Sequence, residues 1–273
     1  MGMQKKRTLS AALKILIGIV YAFPVIMCIL FSFQNNADIN RSPLHLFTAS
    51  PTLNNYLYVL KNIPVWTYLK NSLIMVVMTV PVQIILASLG AFAFAFFDFK
   101  GKNLLFTVFI STMMIPGEVT IIAKYMMIQE WGMMNTYIGL TIISLVGAGG
   151  IFLLRQNMMA LPRELWEAAL LDGCAAMKYF WKIVLPMCKP IIASMVITSF
   201  IGMYNSYFWP LLVTTKSEFY TVQMGVAQLV GEAAYGYGYV LAGAVLSMLI
   251  PVGMFIIGQD SIVEGMTAGA VKS

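Results

Sequence analysis

Charged side chains are scarce in this sequence of 273 residues. Only 10% of the residues are Asp, Glu, Lys or Arg, whereas 60% are hydrophobic. A soluble domain of this size is nearer a quarter charged. Lipid offers the backbone no hydrogen-bond partners, so only helices or a closed barrel can cross it. The apolar runs are long and continuous rather than short and alternating, which predicts an all-α integral membrane protein.

Residue types that bind metals or perform catalysis are equally few. The single histidine, His45, lies in a polar segment, and the three cysteines (Cys28, Cys174 and Cys188) lack metal-ligand or disulfide-framework spacing. The acidic residues fall mostly at the ends of apolar runs rather than in clusters within them. This pattern argues against a membrane-embedded enzyme and predicts neither a catalytic residue nor a metal site.

Six apolar spans are predicted from the hydropathy pattern. They cover approximately residues 11–33, 68–97, 104–123, 136–154, 191–209 and 239–258. Four of them contain a proline, at Pro24, Pro81, Pro116 and Pro251, which removes a backbone hydrogen bond and should kink the helix. Together the spans predict a single membrane domain over residues 1–273, with core spans over about 68–258.

The distribution of lysine and arginine predicts the orientation. With the N-terminus in the cytoplasm, twelve of the 17 basic residues fall on the cytoplasmic side and five on the outer side. This bias predicts that both termini and residues 161–186 lie in the cytoplasm. It also accounts for the net charge of +6 without a nucleic-acid partner.

Residues 161–186 are a charged segment within an otherwise apolar chain. Pro162 suits the first turn of a helix, and Gly173 offers a left-handed stop to that helix. A second short helix is predicted to follow and to end at Pro186. The helix pattern alone leaves two interpretations open: a rigid knob that inserts into a groove on a soluble partner, or an amphipathic hairpin that lies on the membrane.

The spacing within this segment resembles the signature loop of the membrane subunits of bacterial ABC importers. The residues that carry the resemblance are Glu167, Ala168, Ala169, Gly173, Ile183, Leu185 and Pro186. Residues 116–119, 135–137, 204–210 and 264–272 are similar to the carbohydrate-uptake group in particular. That group includes the maltose-type and glycerol-phosphate-type transporters.

The resemblance implies six transmembrane helices with a cytoplasmic coupling-helix hairpin between helices 4 and 5. Glu167, Ala168 and Ala169 would lie on the coupling helix that docks into the ATPase, and Gly173 on the turn behind it. The tail, 259–273, would reach between the two ATPase subunits, as it does in some relatives. The implied location is the bacterial cytoplasmic (inner) membrane.

The implied partners are a homologous second permease subunit, two ATP-binding subunits and an extracytoplasmic sugar-binding protein. The implied mechanism is alternating access, in which ATP-driven closure of the two soluble subunits rocks the permease pair open to the outside. The chain lacks a G-x-x-x-x-G-K-[ST] loop, because Gly101-Lys102-Asn103 has neither the upstream glycine nor the hydroxyl residue. We therefore expect no cofactor in this chain and expect ATP and Mg²⁺ to be bound by the partner ATPase subunits.

A polar and aromatic cluster near the end of the fifth span is the candidate substrate pathway. Asn205 places a polar side chain in a membrane span, and Tyr204, Tyr207 and Trp209 supply aromatic faces of the kind on which sugars stack. Two alternatives remain open. Asn205 could form a hydrogen bond between helices, and Tyr207 and Trp209 could belong to an interfacial aromatic belt.

Other cargoes and other classes of transporter are also open. A permease for glycerol phosphate or another small solute is one alternative, but a phosphorylated cargo should need basic groups in the pathway. The interiors of the spans contain no Arg or Lys, which favours neutral sugars. An ATP-independent channel or secondary transporter is the alternative from a different class, and it would need no docking hairpin.

Overall fold

The computed structural model describes residues 2–39, 51–231 and 236–268, and the side chains of residues 11, 13–39, 51–231 and 236–259. These residues form helices and connecting turns, and no strand occurs among them, which confirms the all-α prediction. His45 and the last five residues of the predicted tail lie outside the described residues.

Fifteen α-helices make up the described chain. They are α1 (Gly2–Ser32), α2 (Asn36–Ile39), α3 (Asn54–Asn62), α4 (Val65–Phe96), α5 (Lys102–Ser111), α6 (Ile121–Glu130), α7 (Tyr137–Thr141), α8 (Ala148–Met159), α9 (Arg163–Leu171), α10 (Ala176–Tyr179), α11 (Leu185–Met187), α12 (Lys189–Tyr204), α13 (Phe208–Val213), α14 (Val222–Gly231) and α15 (Tyr237–Ala268). Short 3₁₀ turns cover Thr112–Met114, Gly117–Thr120, Ile142–Ser144 and Ser217–Phe219, and a π-helical segment covers Phe180–Val184.

Three described helices are long and apolar enough to cross a membrane alone. They are the segments Leu13–Ser32, Val65–Phe96 and Tyr237–Gln259. Three further segments reach that length only as pairs of helices, bent by 92° between Met114 and Gly117, 46° between Ser144 and Ala148, and 77° between Met187 and Lys189. The described helices therefore supply three spans, or up to six if each bent pair crosses once. The count of six stays a prediction.

Proline affects these helices in two different ways. Pro24, Pro81 and Pro251 lie within α1, α4 and α15, and each helix continues through its proline. Pro116 instead lies at the 92° break, where Ile115 and Pro116 both have extended ψ angles of 115° and 134°. The residue before a proline is disfavoured in the α region, so the helix ends there.

The chain divides into two compact units. One contains Met1–Trp66 and Val222–Leu249, and the other contains Thr67–Thr221 and Ile250–Ser273. In the first unit, the Tyr58 and Tyr239 rings stack with centroids 3.8 Å apart. The Asn55 amide donates to the carbonyls of Ser32 and Gln34, both at 2.8 Å. The prediction of a single domain over 1–273 stays a prediction.

In the second unit, small residues bring three helices close together. An added Cβ at Gly150 of α8 would lie 3.1 Å from Met195 Cε and 3.3 Å from Ala87 Cβ. An added Cβ at Gly90 of α4 would meet Ile151 of α8 at 3.0 Å. The glycines thus allow α4, α8 and α12 to pack closely.

Candidate coupling hairpin and substrate pathway

The charged segment 161–186 folds as a helical hairpin whose first helix is α9. Pro162 (ψ 127°) directly precedes Arg163, the first residue of α9, and Glu164 lies in the first turn. Pro162 is thus the N-cap of α9 and not, as the sequence predicted, a residue of its first turn, and the Glu164 carboxylate lies at the positive end of the helix dipole.

The turn after α9 is a Schellman motif built around Gly173. Gly173 has φ +67°, its N–H donates to the Leu170 carbonyl at 3.0 Å, and the Cys174 N–H donates to the Ala169 carbonyl at 2.8 Å. These two bonds are the defining pair of the motif, and the left-handed residue between them favours glycine. The predicted left-handed stop at Gly173 is confirmed.

The second arm of the hairpin differs from the regular helix that the sequence predicts. It begins as α10, widens into the π-helical segment Phe180–Val184, and continues as α11 through Pro186 to Met187. The prediction that Pro186 ends this arm is wrong, because Pro186 is the second residue of α11. Pro186 has no N–H and its ring would crowd the Lys182 carbonyl, so the backbone widens, and Leu185 N–H donates to Phe180 O.

An aromatic core fixes the two arms of the hairpin against α4. The Trp166 ring lies 4.8 Å from Tyr179 and 5.6 Å from Phe96, and Phe180 lies 5.0 Å from Phe92 (centroid distances). Tyr179 and Phe180 are buried. Such ring pairs each contribute roughly 0.5–1.5 kcal/mol beyond their area burial. The hairpin is therefore packed on the end of α4 rather than loosely attached.

The Tyr179 hydroxyl is the polar exception in this aromatic core. Tyr179 is 0% exposed, and its hydroxyl has no hydrogen-bond partner among the residues that the structure describes. Burial raises the pKa of the phenol above its ordinary value. An unsatisfied buried hydroxyl destabilises a fold, so this group is a weak point of the hairpin.

The signature residues divide between an outer and an inner face of the hairpin. Glu167, Ala168, Gly173 and Pro186 are exposed, and Ile183 and Leu185 are half-buried. Ala169 is only 7% exposed and packs into the chain's own core with Tyr179 and Phe180. The Ala169 side chain therefore belongs to the core of the hairpin, and the docking role predicted for its helix stays a prediction.

An exposed pair of leucines on the outer face was missed by the sequence analysis. Leu171 is 89% exposed and Leu170 is 52% exposed at the end of α9. Ala169 occupies the buried face of α9, and Leu170 and Leu171 are turned away from it by about 100° and 200° around the helix axis. That spacing could have identified them, because large apolar side chains this exposed on a charged segment indicate a contact surface.

The four residues of the candidate substrate pathway do not share one surface. α12 ends at Tyr204, and Asn205–Tyr207 form a break before α13. Tyr204 is 0% exposed and stacks on Phe200 at 5.8 Å, whereas Asn205 and Tyr207 are exposed. Trp209 is 6% exposed, and its Nε1 donates to the carbonyl of Gly139 in α7 at 3.2 Å. The structure thus makes Tyr204 and Trp209 packing residues in this conformation.

Two asparagines hold the segment between α13 and α14. Asn135, at φ +55°, accepts at Oδ1 from the N–H groups of Thr215 (2.7 Å) and Lys216 (3.0 Å). The Asn71 amide donates to the carbonyls of Glu218 (2.8 Å) and Tyr220 (2.9 Å). Asparagine tolerates the left-handed region because its short amide bonds nearby backbone. Asn135 belongs to the stretch 135–137, which the sequence analysis noted for its family resemblance and not for these contacts.

No candidate metal site occurs among the side chains that the structure describes. Across residues 11, 13–39, 51–231 and 236–259, no group of three or more His, Cys, Asp or Glu side chains could hold a metal ion. The one ion pair in the second unit with a partly buried partner, Lys102–Asp98 at 3.4 Å, leaves the carboxylate 93% exposed.

Comparison with known proteins gives a consistent result over almost the whole chain. Residues 71–259 match the family described as the binding-protein-dependent transport system inner membrane component. The arabinooligosaccharides transport system permease protein AraQ of Halalkalibacterium halodurans is 31% identical over 259 residues, 94% of this chain and 93% of that protein. The sn-glycerol-3-phosphate transport system permease protein UgpE of Salmonella typhi is 31% identical over 268 residues, 95% of each chain.

The fold also matches a solved structure. A crystal structure of a bacterial ABC transporter involved in the import of the acidic polysaccharide alginate contains a chain that superposes with a TM-score of 0.76. The match covers 93% of this chain and 94% of that one at 21% sequence identity. At this identity the likeness establishes a shared fold and does not extend to the cargo.

Proposed function

Because the chain belongs to the family of binding-protein-dependent transport system inner membrane components, we propose that it forms half of the membrane pathway of an ATP-driven sugar importer. The family consists of transport components, and no enzymatic activity is indicated for it. The proposed assembly contains a homologous second permease subunit, two ATP-binding subunits that hold ATP and Mg²⁺, and an extracytoplasmic sugar-binding protein. It lies in the bacterial cytoplasmic membrane with both termini of this chain in the cytoplasm.

One observation carries the proposal: the hairpin packs its aromatic rings against α4, yet it presents a charged and apolar outer face. Glu167 and Ala168 are exposed on α9, beside Leu171 at 89% exposure. A surface of this composition suits a groove on a soluble subunit. We assign it as the coupling hairpin.

The packing suggests how force would reach the spans. The hairpin follows α8 after only three residues, and its aromatic core rests on Phe92 and Phe96 of α4. Arg155 of α8 donates from Nε to the Phe94 carbonyl at 3.2 Å. A push on α9 would therefore move α4 and α8 together. In alternating access, ATP supplies free energy only by binding the two states of its own subunits unequally.

We propose a neutral oligosaccharide as the cargo and keep glycerol phosphate as the second candidate. The two relatives named above transport arabinooligosaccharides and sn-glycerol-3-phosphate, so similarity alone does not choose between them. The scarcity of basic groups within the spans favours the neutral cargo. Of the predicted pathway residues, Asn205 and Tyr207 are exposed, so they are the candidates for direct contact.

A disulfide cross-link tests the coupling role. The three native cysteines are replaced by serine, and Ala168→Cys is expressed in native membranes with the candidate ATPase carrying cysteines around its groove. We expect an adduct whose yield changes when ATP is added. Ala169→Cys is the matched control, because this neighbour on the same helix is only 7% exposed and should react far less. Absence of any Ala168→Cys adduct with a folded chain and its ATPase present would contradict the coupling role.

Substitution of Asn205 tests the cargo pathway. Asn205→Leu should change uptake of a labelled arabinooligosaccharide while the four-subunit assembly still purifies intact. Loss of assembly would instead identify Asn205 as a packing residue. Parallel uptake of labelled glycerol 3-phosphate by the unmodified importer decides between the two cargo classes.

A further inference from the structure

An apolar groove lies where the hairpin joins the fifth predicted span. It has a volume of about 430 Å³ and runs between α4, the π-helical segment and the start of α12. This volume falls within the range of about 300–1,000 Å³ that is typical of small-molecule sites. The 77° bend between α11 and α12 creates the groove, because it carries α12 away from the axis of the preceding arm.

The walls of the groove are almost wholly apolar and open toward the outside of the chain. Ile85 of α4 is 49% exposed and Trp181 of the π-helical segment is 55% exposed. The other apolar residues that line the groove are Ile84, Phe180, Leu185, Pro186 and Ile192. Tryptophan at the edge of an apolar surface is typical of the membrane–water interface. An exposed tryptophan beside apolar side chains suits a position at the level of the headgroups.

Two polar groups interrupt this lining, and both suit a glycerolipid. Ser88 is 2% exposed, lines the groove, and its hydroxyl has no hydrogen-bond partner among the described residues. Lys189 is exposed at the first position of α12 and also lines the groove. A buried hydroxyl donor can satisfy an ester carbonyl, and an ammonium group can pair with a phosphate.

The depth of these groups fits the headgroup boundary. α4 has 32 residues, so at 1.5 Å per residue it is about 48 Å long, which exceeds the roughly 30 Å hydrocarbon core. Ser88 precedes the end of α4 at Phe96 by eight residues, about 12 Å along the axis. The last turns of α4 therefore extend beyond the hydrocarbon, and Ser88 lies near its cytoplasmic edge.

We propose that this groove binds one anionic phospholipid of the cytoplasmic leaflet. Lys189 pairs with the phosphate, Ser88 donates to an ester carbonyl, and an acyl chain lies along Ile85 and Ile192. The proposal rests on the proposed function for its orientation, with the hairpin in the cytoplasm. A helix of the second permease subunit is the other possible occupant, but an apolar helix would leave the Ser88 hydroxyl unsatisfied.

Lipid retention by the purified importer tests the groove. The assembly is reconstituted in nanodiscs of equal parts phosphatidylglycerol and phosphatidylcholine, extracted in mild detergent, and its bound lipid is counted by native mass spectrometry. Lys189→Gln should retain about fivefold less phosphatidylglycerol, the factor expected when one basic contact is lost. Ile85→Trp, which fills the groove and keeps the charge, should lose the lipid as well. Lys100→Gln removes an equally exposed charge outside the groove and should retain it.

Three results would overturn the proposal. Equal retention by the unmodified importer, Lys189→Gln and Ile85→Trp would show that the groove holds no lipid. An equal loss in Lys100→Gln would show that surface charge alone attracts the lipid. A cross-link from Trp181→Cys to the second permease subunit would show that protein covers the groove. A preparation that lacks the ATPase would count against the proposed function. The lipid retained by the permease pair would still show whether the groove binds phospholipid.

Discussion

Replacing Gly173 tests whether the shape of the hairpin turn, and not its bulk, matters for coupling. An added Cβ at Gly173 would meet no atom within 4 Å, so a larger side chain causes no clash. The whole penalty comes from φ +67°, where a residue with a Cβ is about 1–2 kcal/mol less stable. Asparagine tolerates this region. We expect a conformational cost of about 1 kcal/mol for alanine and about 2 kcal/mol for β-branched valine.

Hydrogen exchange measures this penalty directly. The Cys174 N–H closes the turn by donating to the Ala169 carbonyl at 2.8 Å, so its exchange rate reports how often the turn opens. A loss of 1–2 kcal/mol raises the open population about 5- to 30-fold. We therefore expect exchange of this amide to be near normal in Gly173→Asn, about fivefold faster in Gly173→Ala, and about thirtyfold faster in Gly173→Val. Uptake should fall in the same order.

The order of the three variants is what can refute the reasoning. If Gly173→Asn exchanges as fast as Gly173→Val, side-chain bulk and not backbone conformation governs the turn. If all three exchange at the normal rate and transport normally, the turn has no part in coupling. Gly202→Ala is the matched control, because Gly202 also has nothing within 4 Å but lies within α12 without a positive φ.

Three other substitutions test other parts of the structure. Tyr179→Phe removes the unsatisfied buried hydroxyl and should stabilise the protein by about 1 kcal/mol, seen as a higher thermal midpoint in detergent. Gly139→Ala should destabilise it by about 3 kcal/mol or more, because the new Cβ would meet the backbone oxygen of Met133. Asn135→Ala removes two backbone contacts worth about 1 kcal/mol each and should speed tryptic cleavage after Lys216 about tenfold or more.

Each of these variants has a matched control, in which the same type of substitution is made at a site that lacks the structural feature under test. Tyr207→Phe deletes a hydroxyl from an exposed side chain, so the midpoint should not move. Gly149→Ala places a Cβ only 3.4 Å from the flexible end of Met113, and it should be mild. Asn62→Ala loses one exposed bond to the Tyr58 carbonyl and should leave cleavage at Lys216 unchanged. A lower midpoint in Tyr179→Phe would mean that its hydroxyl has a partner in the assembled importer.

Features governed by the local backbone were predictable from the sequence. Gly173 and Pro162 set the end and the beginning of α9 through rules that involve only neighbouring residues. Pro116 breaks its span for the same kind of reason. The all-α class follows from composition, because lipid excludes unsatisfied backbone.

Features governed by packing were not predictable in the same way. Ala168 and Ala169 are chemically identical, yet one is exposed and the other packs against the aromatic core, because α9 rotates by about 100° per residue. Within the predicted span 191–209, α12 ends at Tyr204 and a break follows before α13. That break sends Trp209 into contact with Gly139, a partner 70 residues away that no local pattern indicates.

The π-helical segment Phe180–Val184 has a consequence for how this hairpin can change over evolutionary time. A π turn accommodates one residue more than an α turn, so deleting a single residue there would restore regular α-helix. Every side chain upstream would then rotate by about 100° relative to α12. Point substitutions on the outer face of α9 leave that angle unchanged. We therefore expect the hairpins of related permeases to vary in composition but to keep a constant number of residues between the turn glycine and the proline of α11.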